Sequence, residues 1–392
     1  MNIGLFTDTY FPQVSGVATS IRTLKDELER EGHSVYIFTT TDPHVDKDEF
    51  EPNIFRFPSV PFVSFTDRRI AVRGLFRAYQ VARDLDLDIV HTQTEFSMGY
   101  IGKFVAKNLK IPCVHTYHTM YQDYLHYILN GKLLRPYHVK QAMHAYLHNM
   151  HGVIAPSSRV VTTLRDYGVK IPMKIIPTGI DISKYEKPIL TNPRQSLGIE
   201  PGVPILLSLS RVAYEKNIHE VIDALPKVLQ QQPKTVLVIV GDGPAREDLT
   251  KQAQQLGLQQ HVYFTGEVPN DHVSAYYHMA DLFVSASESE SQGLTYVEAM
   301  ASGLKSVAAV SPYTTDLLDD PAIGTTFSTE AEMIHQITNY LAHPNVFNDP
   351  KPRLSKLHDI SAEHFAHEVV AFYQNSQAYY STLEQDSADI SE

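Results

Sequence analysis

The sequence contains a single cysteine, Cys113, in 392 residues. One thiol can form neither an internal disulfide nor a cysteine-based metal cluster, and such scarcity is typical of a reducing compartment. The chain has no apolar run near the roughly 20 residues that span a bilayer. An apolar strand begins at Asn2, which leaves no room for a signal peptide. These absences predict a cytoplasmic protein.

Further absences exclude other classes of function. The glycine loop at 241–244 lacks the complete Gly-x-Gly-x-x-Gly pattern, so a nicotinamide-dependent enzyme is not expected. His144, His148 and His151 have helical spacing but no acidic partner nearby, and no metal site is assigned to them. The net charge of −12 leaves too little basic charge for nucleic acid binding.

The negative charge is unevenly distributed along the chain. Residues 1–190 carry 22 Lys and Arg against 19 Asp and Glu, whereas the remaining residues carry 11 against 26. The first part is therefore slightly positive and the second strongly negative. This modest excess is too small for nucleic acid, but an anionic membrane surface would attract the first part.

Short apolar strands alternate with helical stretches in both parts of the chain, which is typical of parallel sheets covered by helices. The sequence thus predicts an α/β fold with two Rossmann-like, doubly wound domains that face a cleft. We expect the first domain over residues 1–185 and the second over residues 200–365, with a polar, proline-bearing linker between them. The last helix, about residues 370–392, is expected to pack back on the first domain.

The segment 287–300 joins an apolar strand to a short helix through a polar, glycine-containing turn. The N-terminus of a helix beginning near Thr295 would bind an anion. Glu290 and Glu298 could then meet a bound molecule from both sides, as a phosphorylated sugar would require. Alternatively, Thr295 and Glu298 form a capping box, in which Glu298 only returns to the backbone of Thr295.

Other polar residues follow predicted strands, where ligands bind in open parallel sheets. Arg211 ends the first strand of the second domain and Lys216 lies five residues on, so both cations could bind phosphate. Gly16 precedes the first helix and could bring backbone N–H groups close to phosphate. His118 follows a strand of the first domain and could donate a hydrogen bond or shuttle a proton. The alternatives are solvated loops and an ordinary strand-to-helix turn.

A basic segment at 68–83 contains five arginines and no acid. Three of them recur every four residues beside apolar neighbours, which predicts a basic amphipathic helix lying on an anionic bilayer. The alternative is an ordinary surface helix whose apolar side packs in the core. The arginines expected to contact the membrane are Arg68, Arg69, Arg73 and Arg77.

The motifs together resemble those of the GT-B glycosyltransferases of family four. These are retaining enzymes that take a sugar from a nucleotide diphosphate donor, and the resemblance spans nearly the whole chain. It implies a GT-B fold and a donor site in the second domain. The segments that carry it are the glycine turn ending at Gly16 and residues 211–217, 240–244, 264–268 and 290–298.

The resemblance also implies a role for each matching residue. Arg211 and Lys216 would bind the donor diphosphate. Glu290 would bind the sugar and Glu298 the ribose hydroxyls. His118 would contact the sugar near the reacting centre. No bound metal or cofactor is then needed. The implied donor-binding residues are Gly16, Arg211, Lys216, Glu290, Gln292, Gly293, Leu294, Thr295 and Glu298. The implied catalytic residues are His118, Glu290, Arg211 and Lys216.

The segment 118–132 is similar to the corresponding stretch of bacterial diacylglycerol glucosyltransferases. This likeness implies UDP-glucose as donor, diacylglycerol as acceptor and α-monoglucosyldiacylglycerol as product. The protein would then be peripheral on the inner face of the cell membrane. The alternatives are a family-four enzyme with a glycolipid, polysaccharide or teichoic acid acceptor, a GT-B sugar-nucleotide epimerase, and a protein that binds the donor without catalysis.

Overall fold

The computed structural model describes residues 1–13, 15–45, 51–62, 65–120, 136–186, 192–288 and 293–389. The chain divides into two compact units, one formed by Met1–Gly179 with Ala362–Glu392 and the other by Ile180–Ser361. Each unit is built around a parallel sheet with helices packed on it. The predicted α/β class with two Rossmann-like sheets is confirmed.

The first unit contains a parallel sheet and a separate antiparallel hairpin. The strands are β1 (Asn2–Phe6), β2 (Ser34–Thr40), β3 (Ile54–Phe57), β4 (Ser59–Phe62), β5 (Phe65–Ala71), β6 (Ile89–Thr92), β7 (Cys113–Thr116), β8 (Gly152–Ala155) and β9 (Met173–Ile175). The parallel sheet has the order β3-β2-β1-β6-β7-β8-β9, and β4 pairs with β5. The strand order reverses between β1 and β6, and such a switch point is where ligands bind in this class of sheet.

Helices cover both faces of this sheet. Those preceding the second unit are α1 (Gly16–Arg30), α2 (Leu75–Asp84), α3 (Ser97–Leu109), α4 (Pro136–Leu147) and α5 (Ser158–Asp166). Ser15 caps α1, because its hydroxyl accepts a hydrogen bond from the backbone N–H of Ala18 at 3.1 Å. Ile21, Leu24 and Leu28 recur on one face of α1 and are buried.

The C-terminal helix, Ala362–Asp389, belongs to the first unit. Phe372 and Tyr373 are buried with the apolar residues of β1 and α1, and the Tyr373 hydroxyl is hydrogen-bonded to His91 Nδ1 at 2.7 Å. The close fit requires glycine at position 152, because a Cβ atom there would lie 2.5 Å from the Phe372 ring. The expected packing on the first domain is confirmed, and the helix covers Ala362–Asp389.

The second unit has one parallel sheet in its described residues. Its strands are β10 (Ile205–Leu209), β11 (Val236–Val240), β12 (Val262–Gly266), β13 (Leu282–Ser285), β14 (Ser306–Ala309) and β15 (Gly324–Phe327), in the order β12-β11-β10-β13-β14-β15. All five residues of β11 are buried, which explains its unbroken run of β-branched and apolar side chains. The switch point lies between β10 and β13.

The helices of the second unit pack on both faces of its sheet. They are α6 (Ser183–Glu186), α7 (Pro193–Ser196), α8 (Ile218–Gln231), α9 (Arg246–Gln255), α10 (Val273–Met279), α11 (Leu294–Ala301), α12 (Pro312–Leu317), α13 (Glu330–Ala342) and α14 (Pro350–Asp359). A short 3₁₀ turn, Tyr214–Lys216, precedes α8. The loops after β10 and β13 therefore lead directly into α8 and α11.

The prediction of one basic helix over residues 68–83 is wrong. Arg68 and Arg69 lie in strand β5, Arg73 lies in the turn that follows, and Arg77 and Arg83 are on helix α2. The helix cannot extend further back because Gly74, at its N-cap, has φ of +120°. The preceding residues include several β-branched side chains, which favour the extended conformation.

Candidate active site

A buried carboxylate lies at the switch point of the first unit. Asp8 lies two residues after the end of β1 and is 2% exposed. Its carboxylate accepts hydrogen bonds from the Thr94 hydroxyl at 2.7 Å, the Ser97 hydroxyl and the backbone N–H of Met98 at 3.1 Å. Ser97 and Met98 form the first turn of α3, where a negative charge is favourable. Asp8 thus fixes the loop after β1 to the loop and helix after β6.

His118 lies in the segment after β7, next to the β6 loop. Its Nε2–H donates to Gln93 Oε1 at 2.6 Å, and both side chains are buried. Burial, together with the neighbouring His115, lowers the pKa of His118 from 6.5 to about 3. The ring is therefore neutral near pH 7. Of the two roles predicted for His118, this favours hydrogen bonding over proton transfer.

The depressed pKa of His118 makes stability depend on pH. Between about pH 6.5 and 3, the unfolded ring binds a proton that the folded ring does not, so stability falls as the pH falls through this window. Replacing His118 with Gln should weaken this dependence by up to about 1.4 kcal/mol per pH unit. Urea midpoints at pH 7 and pH 5 measure the change. His335→Gln, at an exposed position, is the control, and equal shifts in both variants would contradict the prediction.

Gly16 is the first residue of α1, and it is exposed. Its position places backbone N–H groups at the N-terminus of a 15-residue helix, next to the carboxyl edge of β1. Ser15 caps the N–H of Ala18, one turn into the helix. The geometry is that of a helix N-terminus at which phosphate can bind. Its assigned role in donor binding stays a prediction.

The loop after β10 carries Arg211 and is held by the glycine loop after β11. Val212 donates to the carbonyl of Asp242 at 3.0 Å, and Ala245 donates to the carbonyl of Val212 at 3.1 Å. A Cβ atom on Gly241 would lie 2.0 Å from the carbonyl oxygen of Ser210. The glycine at position 241 thus allows two backbone segments to touch, and the exposed Arg211 side chain rises from a rigid loop.

A second contact joins the Arg211 loop to the end of β13. Asn217 follows Lys216 and has φ of +49°, a left-handed conformation that asparagine tolerates. Its Nδ2 donates to the carbonyl of Ala286 at 3.2 Å. The half-buried Lys216 directly precedes this contact, on the loop after β10 at the switch point of the sheet. Asn217 is the last residue of the segment 211–217 that carries the family resemblance, but no role was predicted for it from the sequence.

Helix α11 begins at Leu294, one residue before the predicted start near Thr295. Gly293 is its N-cap with φ of +56°, and no side chain caps the helix. The aromatic ring of Tyr313 packs against Gly293, where a Cβ atom would lie 2.0 Å from Tyr313 Cε1. Leu294 and Thr295 form the first turn, so their backbone N–H groups lie at the helix N-terminus. Glu290 and Gln292 lie outside the described residues.

The capping-box alternative is wrong. Thr295 is inside the helix rather than at its N-cap, and Glu298 does not return to the Thr295 backbone. The Glu298 carboxylate instead accepts a hydrogen bond from the hydroxyl of Tyr277 at 2.8 Å and another from Tyr185. Burial raises the pKa of Glu298, while these hydrogen bonds oppose the rise. The structure thus supplies a buried carboxylate on α11, one turn from its N-terminus.

In the ranges that the structure describes, no helix is long and apolar enough to cross a bilayer. Nor do those residues bring three or more His, Cys, Asp or Glu side chains together in a way that could hold a metal ion.

Each of the two units is a doubly wound sheet with polar residues at its switch point, an arrangement that glycosyltransferases with a GT-B fold share. Residues 14–184 match the model for Glycosyltransferase Family 4, and residues 191–352 match the model for Glycosyl transferases group 1. The chain belongs to the family-four glycosyltransferases, whose first and second domains these two models describe. The predicted family is thereby confirmed.

Two relatives with the same name are similar to this chain over nearly its whole length. The Alpha-monoglucosyldiacylglycerol synthase of Streptococcus pneumoniae is 49% identical over 378 residues, which are 95% of this chain and 85% of the relative. The Alpha-monoglucosyldiacylglycerol synthase of Acholeplasma laidlawii is 34% identical over 385 residues, or 95% of each chain. A more distant relative is the Sulfoquinovosyl transferase of Arabidopsis thaliana, at 26% identity over 83% of this chain and 62% of its own.

Solved structures confirm the GT-B fold. HepE of Anabaena, solved in complex with UDP, superposes with a TM-score of 0.73 at 18% identity, covering 95% of this chain and 100% of its own. The sucrose-phosphate synthase of Thermosynechococcus elongatus has a TM-score of 0.75 at 20% identity, covering 95% and 98%. At these identities the likeness concerns the fold alone.

Proposed function

We propose that this protein transfers glucose from UDP-glucose to the hydroxyl of diacylglycerol and gives α-monoglucosyldiacylglycerol. The observation that carries the proposal is the 49% identity, over 95% of this chain, with a synthase named for that product. A second such synthase matches nearly the full length of both chains. The sequence of 118–132 also supports the acceptor, although most of that stretch lies outside the described residues.

The proposed reaction breaks the bond between the glucose C1 atom and the diphosphate and forms a bond from C1 to the acceptor oxygen. Arg211 and Lys216 would neutralise the charge that grows on the departing UDP. The acceptor hydroxyl would attack from the face that the diphosphate leaves, and a phosphate oxygen would take its proton. This route retains the configuration at C1 and requires no side chain as base. It agrees with the neutral state of His118, which would hold the sugar by a hydrogen bond.

The two carboxylates have separate proposed roles. Glu290 would bind the sugar, together with the backbone N–H groups of Gln292, Gly293, Leu294 and Thr295. Glu298 would accept hydrogen bonds from the ribose hydroxyls, a role supported by its burial and by its place on α11. The backbone of Gly16 would contact the diphosphate. All of these contacts are to the donor.

The test is an assay of the purified protein with UDP-glucose and vesicles that contain diacylglycerol. We expect a glucolipid with the mass of diacylglycerol plus one hexose, detected by mass spectrometry, and UDP released in equal amount. Transfer to a soluble acceptor but not to diacylglycerol would refute the lipid acceptor. An epimerised nucleotide sugar formed without any acceptor would refute the transferase.

The proposal includes binding to an anionic membrane, through a surface that differs from the predicted one. Arg69 is engaged within the hairpin, since its Nε and Nη2 donate to the hydroxyl and carbonyl of Ser59, both at 2.9 Å. Arg73 and Arg77 are exposed, and beside them Val72 is 54% and Phe76 73% exposed. Exposed cations next to exposed apolar side chains are typical of surfaces that bind anionic lipid.

Reversing both exposed charges tests this surface. Each arginine near an anionic bilayer contributes about 1 kcal/mol, so Arg73→Glu with Arg77→Glu should weaken vesicle binding by about 30-fold or more. Sedimentation with vesicles containing phosphatidylglycerol measures the change. The matched control replaces two other exposed cations of the same unit with Glu, namely Arg30 and Lys170. An equal loss in both variants would show that only net charge matters, which would contradict a local surface.

A further inference from the structure

The Glu298 carboxylate is held by two tyrosines from separate helices of the second unit. Tyr277, on α10, donates its hydroxyl to Oε2 at 2.8 Å, and Tyr185, on α6, donates its hydroxyl to the same carboxylate. All three side chains are buried. The two tyrosine rings meet edge to face, with centroids 6.2 Å apart. Packing holds both tyrosine rings in place, so their hydroxyls fix the position of the Glu298 carboxylate.

These hydrogen bonds affect the charge of Glu298 as well as its position. Burial raises its pKa, whereas the hydroxyls of Tyr277 and Tyr185 and the charge of Lys184 lower it. The tyrosines therefore favour the ionised form, which only accepts hydrogen bonds. An ionised carboxylate has about four acceptor sites, so two tyrosine donors leave capacity for further donors. The adjacent hydroxyls of a ribose are donors of that kind.

We propose that Tyr185 and Tyr277 are positioning residues that orient the Glu298 carboxylate toward the ribose hydroxyls of UDP. This inference rests on the donor-binding role proposed above for Glu298. The tyrosines act through Glu298 and contact no reacting atom. Removal of their hydroxyls should therefore reduce recognition of the ribose and leave the chemical step unchanged. KM for UDP-glucose should rise while kcat stays near its original value.

The test compares the binding of UDP, 2′-deoxy-UDP and 3′-deoxy-UDP by calorimetry. The original protein should bind at least one deoxy analogue about 10-fold or more weakly than UDP, as expected when a hydrogen bond to a charged group is lost. In the double variant Tyr185→Phe with Tyr277→Phe, this ratio should fall to about 3-fold or less. A purely structural defect would weaken the binding of UDP and of its analogues equally, and would leave the ratio unchanged.

A matched control removes a comparable hydroxyl elsewhere in the same unit. The Tyr340 hydroxyl donates to the carbonyl of Pro321 at 2.8 Å, away from Glu298, so Tyr340→Phe should keep the original ratio. If Glu298→Gln abolishes discrimination but the tyrosine double variant retains it, the inference is overturned and the role of Glu298 stands. If the unsubstituted protein binds UDP and both deoxy analogues equally, or if Glu298→Gln leaves the ratio of their affinities unchanged, both the inference and the proposed role of Glu298 are refuted. Formation of glucolipid, assayed separately, tests the transferase function itself.

Discussion

Replacing Lys216 with alanine is expected to lower kcat/KM for UDP-glucose by about 100- to 1000-fold, the usual cost of removing a fixed group that stabilises transition-state charge. Lys216 lies on the loop after β10, and the next residue, Asn217, joins this loop to the end of β13 by a hydrogen bond to Ala286. Part of the loss should appear in kcat, since the charge on the departing diphosphate is greatest in the transition state. Steady-state kinetics with varied UDP-glucose measures it.

A lysine elsewhere in the same unit provides the control for Lys216. Lys227 on α8 is exposed and pairs with Glu330 at 2.8 Å. Lys227→Ala removes the same charge from the unit and should change kcat/KM by less than about 2-fold, because an exposed ion pair contributes little. Arg211→Lys should lower activity too, because lysine keeps the charge but loses the planar fork that binds two phosphate oxygens. Full activity of Lys216→Ala would show that Lys216 does not neutralise the charge on the departing diphosphate.

Replacing Gly241 with alanine is expected to reduce the free energy of unfolding by about 3 to 5 kcal/mol and to lower donor affinity. Two effects combine at this position. The residue has φ of +127°, which an L side chain rarely adopts, and its added Cβ would lie 2.0 Å from the carbonyl oxygen of Ser210. Relief of that clash must shift the loop that carries Arg211. Thermal unfolding and UDP calorimetry measure the two consequences.

The two effects at Gly241 can be separated with a second glycine. Gly257 also has a positive φ, of +71°, but nothing lies within 4 Å of the position of its Cβ. Gly257→Ala should therefore cost only about 1 kcal/mol, the backbone component, and should leave UDP binding unchanged. If Gly241→Ala behaves like Gly257→Ala, the close approach of the two loops does not position Arg211.

Regular patterns made most of the fold predictable from the sequence. Unbroken apolar runs such as that of β11 indicate strands buried on both faces, and their alternation with helices indicates parallel sheets. The hairpin of β4 and β5 was missed because arginines spaced four apart match a helical period as well as an exposed strand. Gly74 was the signal that should have limited that helix, since its positive φ stops the chain from continuing in helical form.

The candidate site was less predictable than the fold. Arg211 and Lys216 could be found because each follows an apolar strand within a few residues. Asp8, Gln93 and Tyr277 could not, since their contacts join segments far apart in sequence. The spacing of Thr295 and Glu298 matched a local capping motif, but tertiary contacts decide where the Glu298 carboxylate lies. The roles of Glu290 and Gln292 stay predictions, outside the described residues.

The central claim is that this protein forms an α-glucosyl bond to diacylglycerol. The most direct measurement uses UDP-glucose labelled with carbon-13 at C1, vesicles containing diacylglycerol, and proton and carbon NMR of the extracted lipid. The account predicts one labelled glucolipid whose anomeric proton shows the small coupling of an α-glucoside, with no label transferred when diacylglycerol is omitted. A β-glucoside would contradict the retaining mechanism, and unlabelled lipid beside turnover with another acceptor would contradict the function.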